Sequence, residues 1–396
     1  MKNERIIIID ALRGFALFLI IIIHYVEHLE LFKDPEVNFI FSNAFDKEVM
    51  DTVFLLISGK AYSIFALLFG LSLFIQIDNK ARIGIDYRNT FAWRMMVLLF
   101  IGFLHSLIYR GDILHIYALL SFPIILIYNL KTKYLWMIAV LLVLQIPTLY
   151  SFTQTLIEPN YQYTPLLKNY FDEGNEIYAS GNFWDVVTYN FWKGRQSVWS
   201  WTIENGRYLQ LLALFIVGII LGRNHAFHDM EKNKKVFYRV LTYSFVAYIV
   251  LTLMNLGFQN SGLSGLQKQL LNTFLSSLTN LAITSIFVVL FCLIYIKVKK
   301  AHIFNLLAAY GKLSLTNYMF QAVFGVVFFY GFGWAMYKYL GSTWSVILGI
   351  LIFIIQAFAN VYWNKKYYYG PVEWLWRCLT NLDFSVKFKR DNSVEK

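Results

Sequence analysis

The sequence predicts an all-α fold: a polytopic integral membrane bundle of about ten transmembrane helices, with both termini in the cytoplasm. Three observations predict it. Of 396 residues, 58% are hydrophobic and only 15% are charged, against about 45–50% and about 25% in soluble domains. The apolar residues gather in runs near the ~20 residues that a bilayer demands. Lys and Arg gather between those runs, on alternate connections. Lipid is therefore the solvent for most of this chain.

The first run, 6–26, is too long for a cleavable signal peptide, contains Arg13 and lacks a small-residue cleavage site. It reads as a retained span. Further runs lie at 55–77, 91–109, 112–130, 134–151, 208–223, 236–257, 272–296, 304–330 and 343–363. The second has room for a short interfacial helix near Met50 and Asp51, breaking at Ser58-Gly59. The ninth starts with a polar stretch, Tyr310 to Asn317, that must face protein or water rather than lipid. Between the fifth and sixth runs, residues 152–207 carry Trp184, Trp192, Trp199 and Trp201. Tryptophan favours the headgroup layer, so this connection is expected to face outward and to form interfacial helices. Residues 364–396 form a cytoplasmic amphipathic tail. In it, Pro371 starts a helix, Glu373 and Arg377 pair at i, i+4, and Trp374 and Trp376 favour the inner membrane surface.

Loop charge sets the orientation. One alternate set of segments holds Lys2 and Arg5; Lys80, Arg82 and Arg88; Lys131 and Lys133; Lys232, Lys234 and Lys235; Lys297, Lys299 and Lys300; and the basic tail. The other set is poor in Lys and Arg or acidic, with Glu27, Glu30, Asp34, Glu36, Asp46, Glu48 and Asp51 after the first span. The positive-inside rule then places both ends inside, which requires an even number of spans. The net charge of +11 is explained by these clusters. No basic–aromatic module outside the spans points to nucleic acid. Membrane lipids are the expected surroundings, and a homo-oligomer stays open. Cys292 and Cys378 form neither a CxxC nor a disulfide framework and read as packing residues. Zinc-finger and HExxH spacings, a GxxxxGK[ST] loop and a GxSxG elbow are all missing from the sequence. That argues against a metal enzyme or an ATP-driven pump, and no metal is expected.

Ionisable residues inside a membrane span are costly and mark candidate sites. Arg13 lies about two turns in from the cytoplasm and His24 near the outer end of the same span. Eleven residues at about 100° each end about 20° past three full turns, so both side chains share one face about 16 Å apart along the axis. Asp10 completes the polar face at the cytoplasmic end. Snorkelling of Arg13 and plain packing of His24 are the bland alternatives. A second cluster is Tyr109-Arg110-Gly111-Asp112, flanked by His105 and His115, at a tight outward turn. His105 and Asp112 are close enough to converge, and an Asp beside a His orients an imidazole as a base. The alternative is that Arg110 and Asp112 only cap helix ends. Lys60 precedes the second span, and Glu204 and Arg207 enter the sixth. Ser314, Thr316, Asn317 and Gln321 line the polar start of the ninth. Asn317 and Gln321, four apart on one face, suit hydrogen bonds between helices as well as substrate binding.

Several of these segments resemble one family. Asp10-Ala-Leu-Arg-Gly-Phe15, Phe65-Ala-Leu-Leu-Phe-Gly70, Gly111-Asp-Ile-Leu-His-Ile-Tyr-Ala118, Gly311-Lys-Leu-Ser-Leu-Thr-Asn-Tyr318 and Gly370-Pro-Val-Glu-Trp-Leu-Trp-Arg377 look like the YeiB-like membrane proteins. These are catalogued as domain of unknown function 418, and the likeness runs over nearly the whole chain. The first span is also similar to the wider transmembrane acyltransferases, the acyltransferase-3 group and the heparan glucosaminide acetyltransferases. Their Arg, ten residues, His signature is matched by Arg13 and His24, although the acidic-aromatic signatures of later acyltransferase-3 spans are missing. The resemblance implies a ten-helix core that takes an acyl group from a cytoplasmic acyl-CoA and delivers it across the membrane to a cell-envelope glycan or lipid. It implies that His24 is the acyl-transferring base or nucleophile and that Arg13 binds the donor. An imidazole of ordinary pKa, about 6.5, is a competent base for attack on a thioester, and Arg suits phosphates.

The candidate catalytic residues are thus His24, Asp112 and His105; the candidate binding residues are Arg13, Asp10, Arg110, Lys60, Asn317 and Gln321. Two other readings stay open. One is a transporter or channel for a small solute or lipid, against which stands the lack of an internal repeat. The other is a non-catalytic lipid-binding scaffold.

Overall fold

Where a run of apolar side chains meets no breaker, a chain in lipid satisfies its own backbone as helix, and helices dominate here. In a computed structural model the described residues are 6–33, 35–36, 43–158, 161–228, 230–298 and 301–390. Lys2, Arg5, Asp34, Lys299, Lys300 and the last six residues of the tail lie outside them. The helices are α1 (Ile7–Val26), α2 (Asn43–Leu56), α3 (Lys60–Ala81), α4 (Arg88–Ser106), α5 (Leu114–Ile127) and α6 (Thr132–Val143). Then come α7 (Ile146–Ile157), α8 (Phe171–Ser180) and α9 (Phe183–Tyr189), which runs through a π turn into α10 (Arg195–Glu204). The rest are α11 (Arg207–Arg223), α12 (Met230–Gln259), α13 (Gly265–Val298), α14 (His302–Lys312), α15 (Ser314–Phe329), α16 (Ser342–Lys366) and α17 (Pro371–Asn381). Among the described residues, extended pairing is limited to an isolated bridge between Tyr367 and Lys389.

Among the described residues, five stretches are long and apolar enough to cross a bilayer: Ile7–Val26, Asn43–Ala81, Met230–Gln259, Gly265–Val298 and Ser342–Lys366. Two bent pairs bring the number to seven: α6 with α7, at 41°, and Phe183–Glu204 with α11, at 71°. This is fewer uninterrupted spans than the ten read from the sequence, and the causes are local. The expected run 134–151 breaks at Gln145, which sits at φ +45° two residues before Pro147 and precedes the first turn of α7. Proline has no N–H to donate to a preceding turn and is suited to the first turn of a new helix, so the chain restarts there. The run 304–330 splits at Leu313 into α14 and α15, inside its polar stretch. The run 112–130 keeps only 14 helical residues in α5. Between α2 and α3 the chain turns through Gly59 at φ +82°, a conformation that suits a residue without Cβ and falls at the expected Ser58-Gly59 break.

The first helix is the hub. It packs on α14, α16, α3, α15, α2 and α13, and all but five of its residues are buried. Two close crossings build this packing. A Cβ on Gly14 would lie 2.0 Å from the Leu307 carbonyl oxygen, and one on Gly311 would lie 2.0 Å from that of Asp10. In the same way, Gly70 of α3 meets Phe215 of α11, and Gly218 of α11 meets Leu67 of α3, at 2.1 and 2.2 Å. Small residues at such interfaces let backbones touch, which is how helices associate in lipid without a hydrophobic driving force. By contrast, α12 packs along α13 and keeps most of its apolar surface outside the bundle.

Gly14→Ala or Gly311→Ala should therefore force α1 and α14 apart and cost about 1–3 kcal/mol, read as a lower melting temperature in detergent. Gly257→Ala, with nothing within 4 Å of the added methyl, should leave that temperature unchanged. Equal melting of all three proteins would disprove the tight crossing.

Candidate functional site

One face of α1 organises the polar interior. Arg13, Ile20 and His24 follow one another at intervals of seven and four, so they stack along it, and Glu27 continues the line just past the helix. Arg13 lies in a cavity of about 200 Å³ with Ser72, Gln76, Arg94, Ser314 and Trp376. His24 lies in a second cavity of about 480 Å³ with Glu27, Tyr62, Tyr109, Arg207 and Asn280. Ile20 and Ile113 line both. The two polar ends of the predicted face thus sit in separate cavities that meet at an isoleucine partition.

Arg13 donates to Asp10 Oδ1 at 2.7 Å and to Ser72 Oγ at 2.6 Å, which holds its guanidinium off the lipid. His24 packs its ring against Tyr109 (centroids 5.1 Å) and Tyr318 (6.1 Å). Its Nδ1 is buried without a hydrogen-bond partner. His105 packs against the same two tyrosines, with its ring 5.4 Å from that of Tyr318 and 6.2 Å from that of Tyr109.

His105 and Asp112 converge as expected. Asp112 Oδ1 is 2.8 Å from His105 Nδ1, and Oδ2 is 3.0 Å from His115 Nδ1. The carboxylate also accepts from the His115 backbone N–H at 3.2 Å. An ionised carboxylate only accepts, so each imidazole donates from Nδ1 and turns its Nε2 away from Asp112. Both Nε2 atoms are buried without a partner.

Arg110 is 1% exposed and faces neither of the two cavities. It donates to the Glu30 carbonyl at 2.8 Å, Asn175 Oδ1 at 3.2 Å and the Tyr189 hydroxyl at 3.3 Å. These bonds secure an unusual turn. His28, Leu29 and Glu30 have φ of 46°, 57° and 70°, three successive left-handed residues that cost about 1–2 kcal/mol each. The Tyr330 hydroxyl adds a bond to the Leu29 carbonyl at 2.7 Å. The turn directs Glu27 and Glu30 toward the wall of the His24 cavity.

The remaining predicted residues are packed. Lys60 is buried at the start of α3. Asn317 donates to the Tyr310 carbonyl at 2.9 Å, and the Tyr310 hydroxyl donates to Gln321 at 3.4 Å and Gln356 at 2.9 Å. This network ties α14, α15 and α16 together. Of the nine candidates, His24 and Arg13 are the two that line these cavities. Among the described residues no group of three or more His, Cys, Asp or Glu is placed to hold a metal ion.

Sequence reasoning passed over Arg94, although a charge inside an apolar run was the signal that singled out Arg13. Its guanidinium stacks 3.8 Å from the centroid of Trp376. Trp376, expected to lie on the membrane surface, instead donates to the Arg94 carbonyl at 2.9 Å and faces the cavity. Glu373 was expected to pair with Arg377. It accepts from Leu315 N at 2.8 Å, Thr316 N at 3.1 Å and Thr316 Oγ1 at 2.5 Å, capping α15. Open backbone N–H groups at a helix start draw the carboxylate, while Arg377 stacks on Tyr369 at 4.5 Å instead.

The fold and the cavities define a helical membrane protein with a charged first helix facing its interior. More particularly, residues 5–166 match the family described as heparan-alpha-glucosaminide N-acetyltransferase, catalytic. Residues 221–383 match the protein family of unknown function DUF418. The chain is 24% identical to the uncharacterized protein YxaH of Bacillus subtilis (strain 168) over 98% of both chains. It is 23% identical to a protein in the amylase 3' region of Bacillus acidopullulyticus, again over 98% of both. A 74-residue stretch, 19% of each chain, is 31% identical to YeiB of Escherichia coli (strain K12). The chain thus resembles the DUF418 proteins in its C-terminal part and an acetyltransferase catalytic family in its N-terminal part, and both cavity-lining candidates, Arg13 and His24, fall in the latter.

Asp112→Ala should remove two charge-assisted hydrogen bonds and cost about 3 kcal/mol or more, read by thermal unfolding in detergent. Asp112→Asn can accept from one imidazole only, so a smaller loss is expected, together with a changed tautomer for the other histidine in nitrogen-15 spectra. Equal losses from the two variants would contradict the double-histidine arrangement.

Proposed function

We propose that the chain is an acyl-CoA-dependent transmembrane acyltransferase of the cell membrane. In this reading it crosses the bilayer about ten times with both termini in the cytoplasm. The Arg13 cavity receives a cytoplasmic acyl-CoA, and the His24 cavity receives a hydroxyl or amine of a cell-envelope glycan or lipid on the outer side. The 152–207 connection caps the outer face, and the 364–396 tail lies on the inner one. The observation that carries the reading is that Arg13 and His24 stand on one helix face in two cavities meeting at Ile20 and Ile113. Both lie within the segment that matches an acetyltransferase catalytic family.

The residues suit the donor. Two guanidiniums, Arg13 and Arg94, line the smaller cavity, and Arg is suited to phosphate. At about 200 Å³ the cavity is below the ~300–1,000 Å³ usual for whole small-molecule sites, so it suits the slender thioester arm better than the nucleotide. The isoleucine partition favours an apolar acyl group over water and ions.

The transfer breaks the acyl–sulfur bond and forms an acyl–oxygen or acyl–nitrogen bond. The proton leaving the acceptor ends on the departing thiolate. His24 is the group placed to take that proton, with an unengaged Nδ1. Tyr109 and Tyr318 hold its ring, and the His105–Asp112–His115 cluster holds those tyrosines from behind; these are positioning residues.

Purified protein in proteoliposomes should release coenzyme thiol from acetyl-CoA or a longer acyl-CoA in the presence of an envelope extract. His24→Ala should lower that rate by about 100-fold or more, and Arg13→Gln should raise KM more than it lowers kcat. Turnover unchanged by His24→Ala would overturn the reading. The same two cavities would also suit alternating access, and solute flux without thiol release would favour a transporter.

A further inference from the structure

The His24 cavity contains a cation that the transfer chemistry does not use. Arg207, the first residue of α11, lies with its guanidinium 3.4 Å from the centroid of the Tyr62 ring and 4.5 Å from that of Trp201. It is partly buried and lines the cavity. Arg13 pairs with Asp10 and Arg110 with Glu30, but among the described residues no hydrogen bond or ion pair engages the Arg207 guanidinium. The Glu27 carboxylate shares the cavity and feels this charge at a distance, but a guanidinium with no hydrogen-bond acceptor is only partly compensated by aromatic faces.

Its platform is rigid. The Tyr62 hydroxyl donates to Gln210 Oε1 at 3.1 Å, and the Tyr117 hydroxyl donates to the Tyr62 carbonyl at 2.7 Å. Gln210 is in turn tied to the Ser277 carbonyl at 3.2 Å. The guanidinium is therefore held ready rather than free to swing, and its recognition of a ligand costs little ordering. The wall formed by α13 adds Asn272, Thr273, Ser276 and Asn280, amide and hydroxyl groups that suit a ligand rich in oxygen. His24 and the Glu27 carboxylate line the same cavity. Glu27 repels an anion, so an anionic ligand enters with its charge toward Arg207 and its neutral end toward His24.

We propose that the His24 cavity binds a phosphate-bearing polyol, with the phosphate on Arg207 and a hydroxyl presented to His24 and Glu27. Resting on the acyl-transfer reading, this makes the acceptor a hydroxylated phosphate ester. The volume of about 480 Å³ suits a headgroup-sized ligand. The phosphate can belong to a soluble ester or to a lipid headgroup, since a guanidinium recognises both alike.

The test is binding by the full chain without any acyl-CoA. In phosphatidylcholine nanodiscs, sn-glycerol 3-phosphate should bind and glycerol should not, by calorimetry. Arg207→Gln should weaken that binding at least about tenfold, and Arg207→Lys should retain part of it. In mixed vesicles, wild type but not Arg207→Gln should co-purify with phosphatidylglycerol in preference to phosphatidylcholine if the phosphate is a lipid's. Binding of either probe that depends on Arg207 supports the site. The proposal is overturned if wild type prefers neither phosphate probe, or if Arg207→Gln, melting like wild type, binds them equally well. Arg207-dependent binding without thiol release from acyl-CoA would defeat the acyl-transfer reading and keep the anion site. Thiol release that depends on His24, with no phosphate preference, would do the reverse.

Discussion

The structure depends on backbone-to-backbone contact between α1 and α14 at Gly14 and Gly311. Each glycine faces a carbonyl of the other helix at a distance where no side-chain carbon fits. That crossing pins the N-terminal half of α1 in the middle of the bundle, and a central helix must expose any polar face to protein or to a cavity. Arg13 lies next to the crossing, so its place beside Asp10 and Ser72 follows from it. The equivalent contact of α3 with α11 fixes a second wall, which carries Ser72 on one side and Arg207 on the other. Both cavities are what these crossings leave open.

Burying charge in such an interior is costly unless each group is matched. Arg110 shows how it is done: one guanidinium satisfies a carbonyl, an amide oxygen and a hydroxyl, and stacks on Phe171 and Tyr178. In doing so it offsets the left-handed turn from His28 to Glu30 that brings two carboxylates to the cavity wall. Asp112 does the same for two histidines. At the larger cavity, His24 Nδ1 and the Arg207 guanidinium have no such hydrogen-bond partner among the described residues, so a ligand there can supply what the protein does not.

Much of this was readable. The motifs that marked the family resemblance are largely the motifs of close packing: Asp10–Phe15 contains Gly14, Phe65–Gly70 contains Gly70, and Gly311–Tyr318 contains Gly311. The shared face of Arg13 and His24 followed from the helical repeat alone, and the approach of His105 to Asp112 followed from the shortness of the turn between them. Other features were not readable, because they depend on segments far apart in sequence. Trp376 reaches Arg94 across 282 positions, and Glu373 reaches Thr316 across 57. Local pattern assigned both tail residues to nearby partners or to the membrane surface.

The sequence by itself determined that the chain is helical and membrane-embedded, since composition and run length are local properties that lipid reads directly. It also determined which charges sit inside apolar runs. Only the tertiary structure decided that Arg13 and His24 open into two cavities rather than one, that Ile20 and Ile113 stand between them, and that Arg110 is an anchor. Those facts depend on which helices touch and how closely. Contact of that kind is set by the fit of distant surfaces, which no periodicity along one helix encodes.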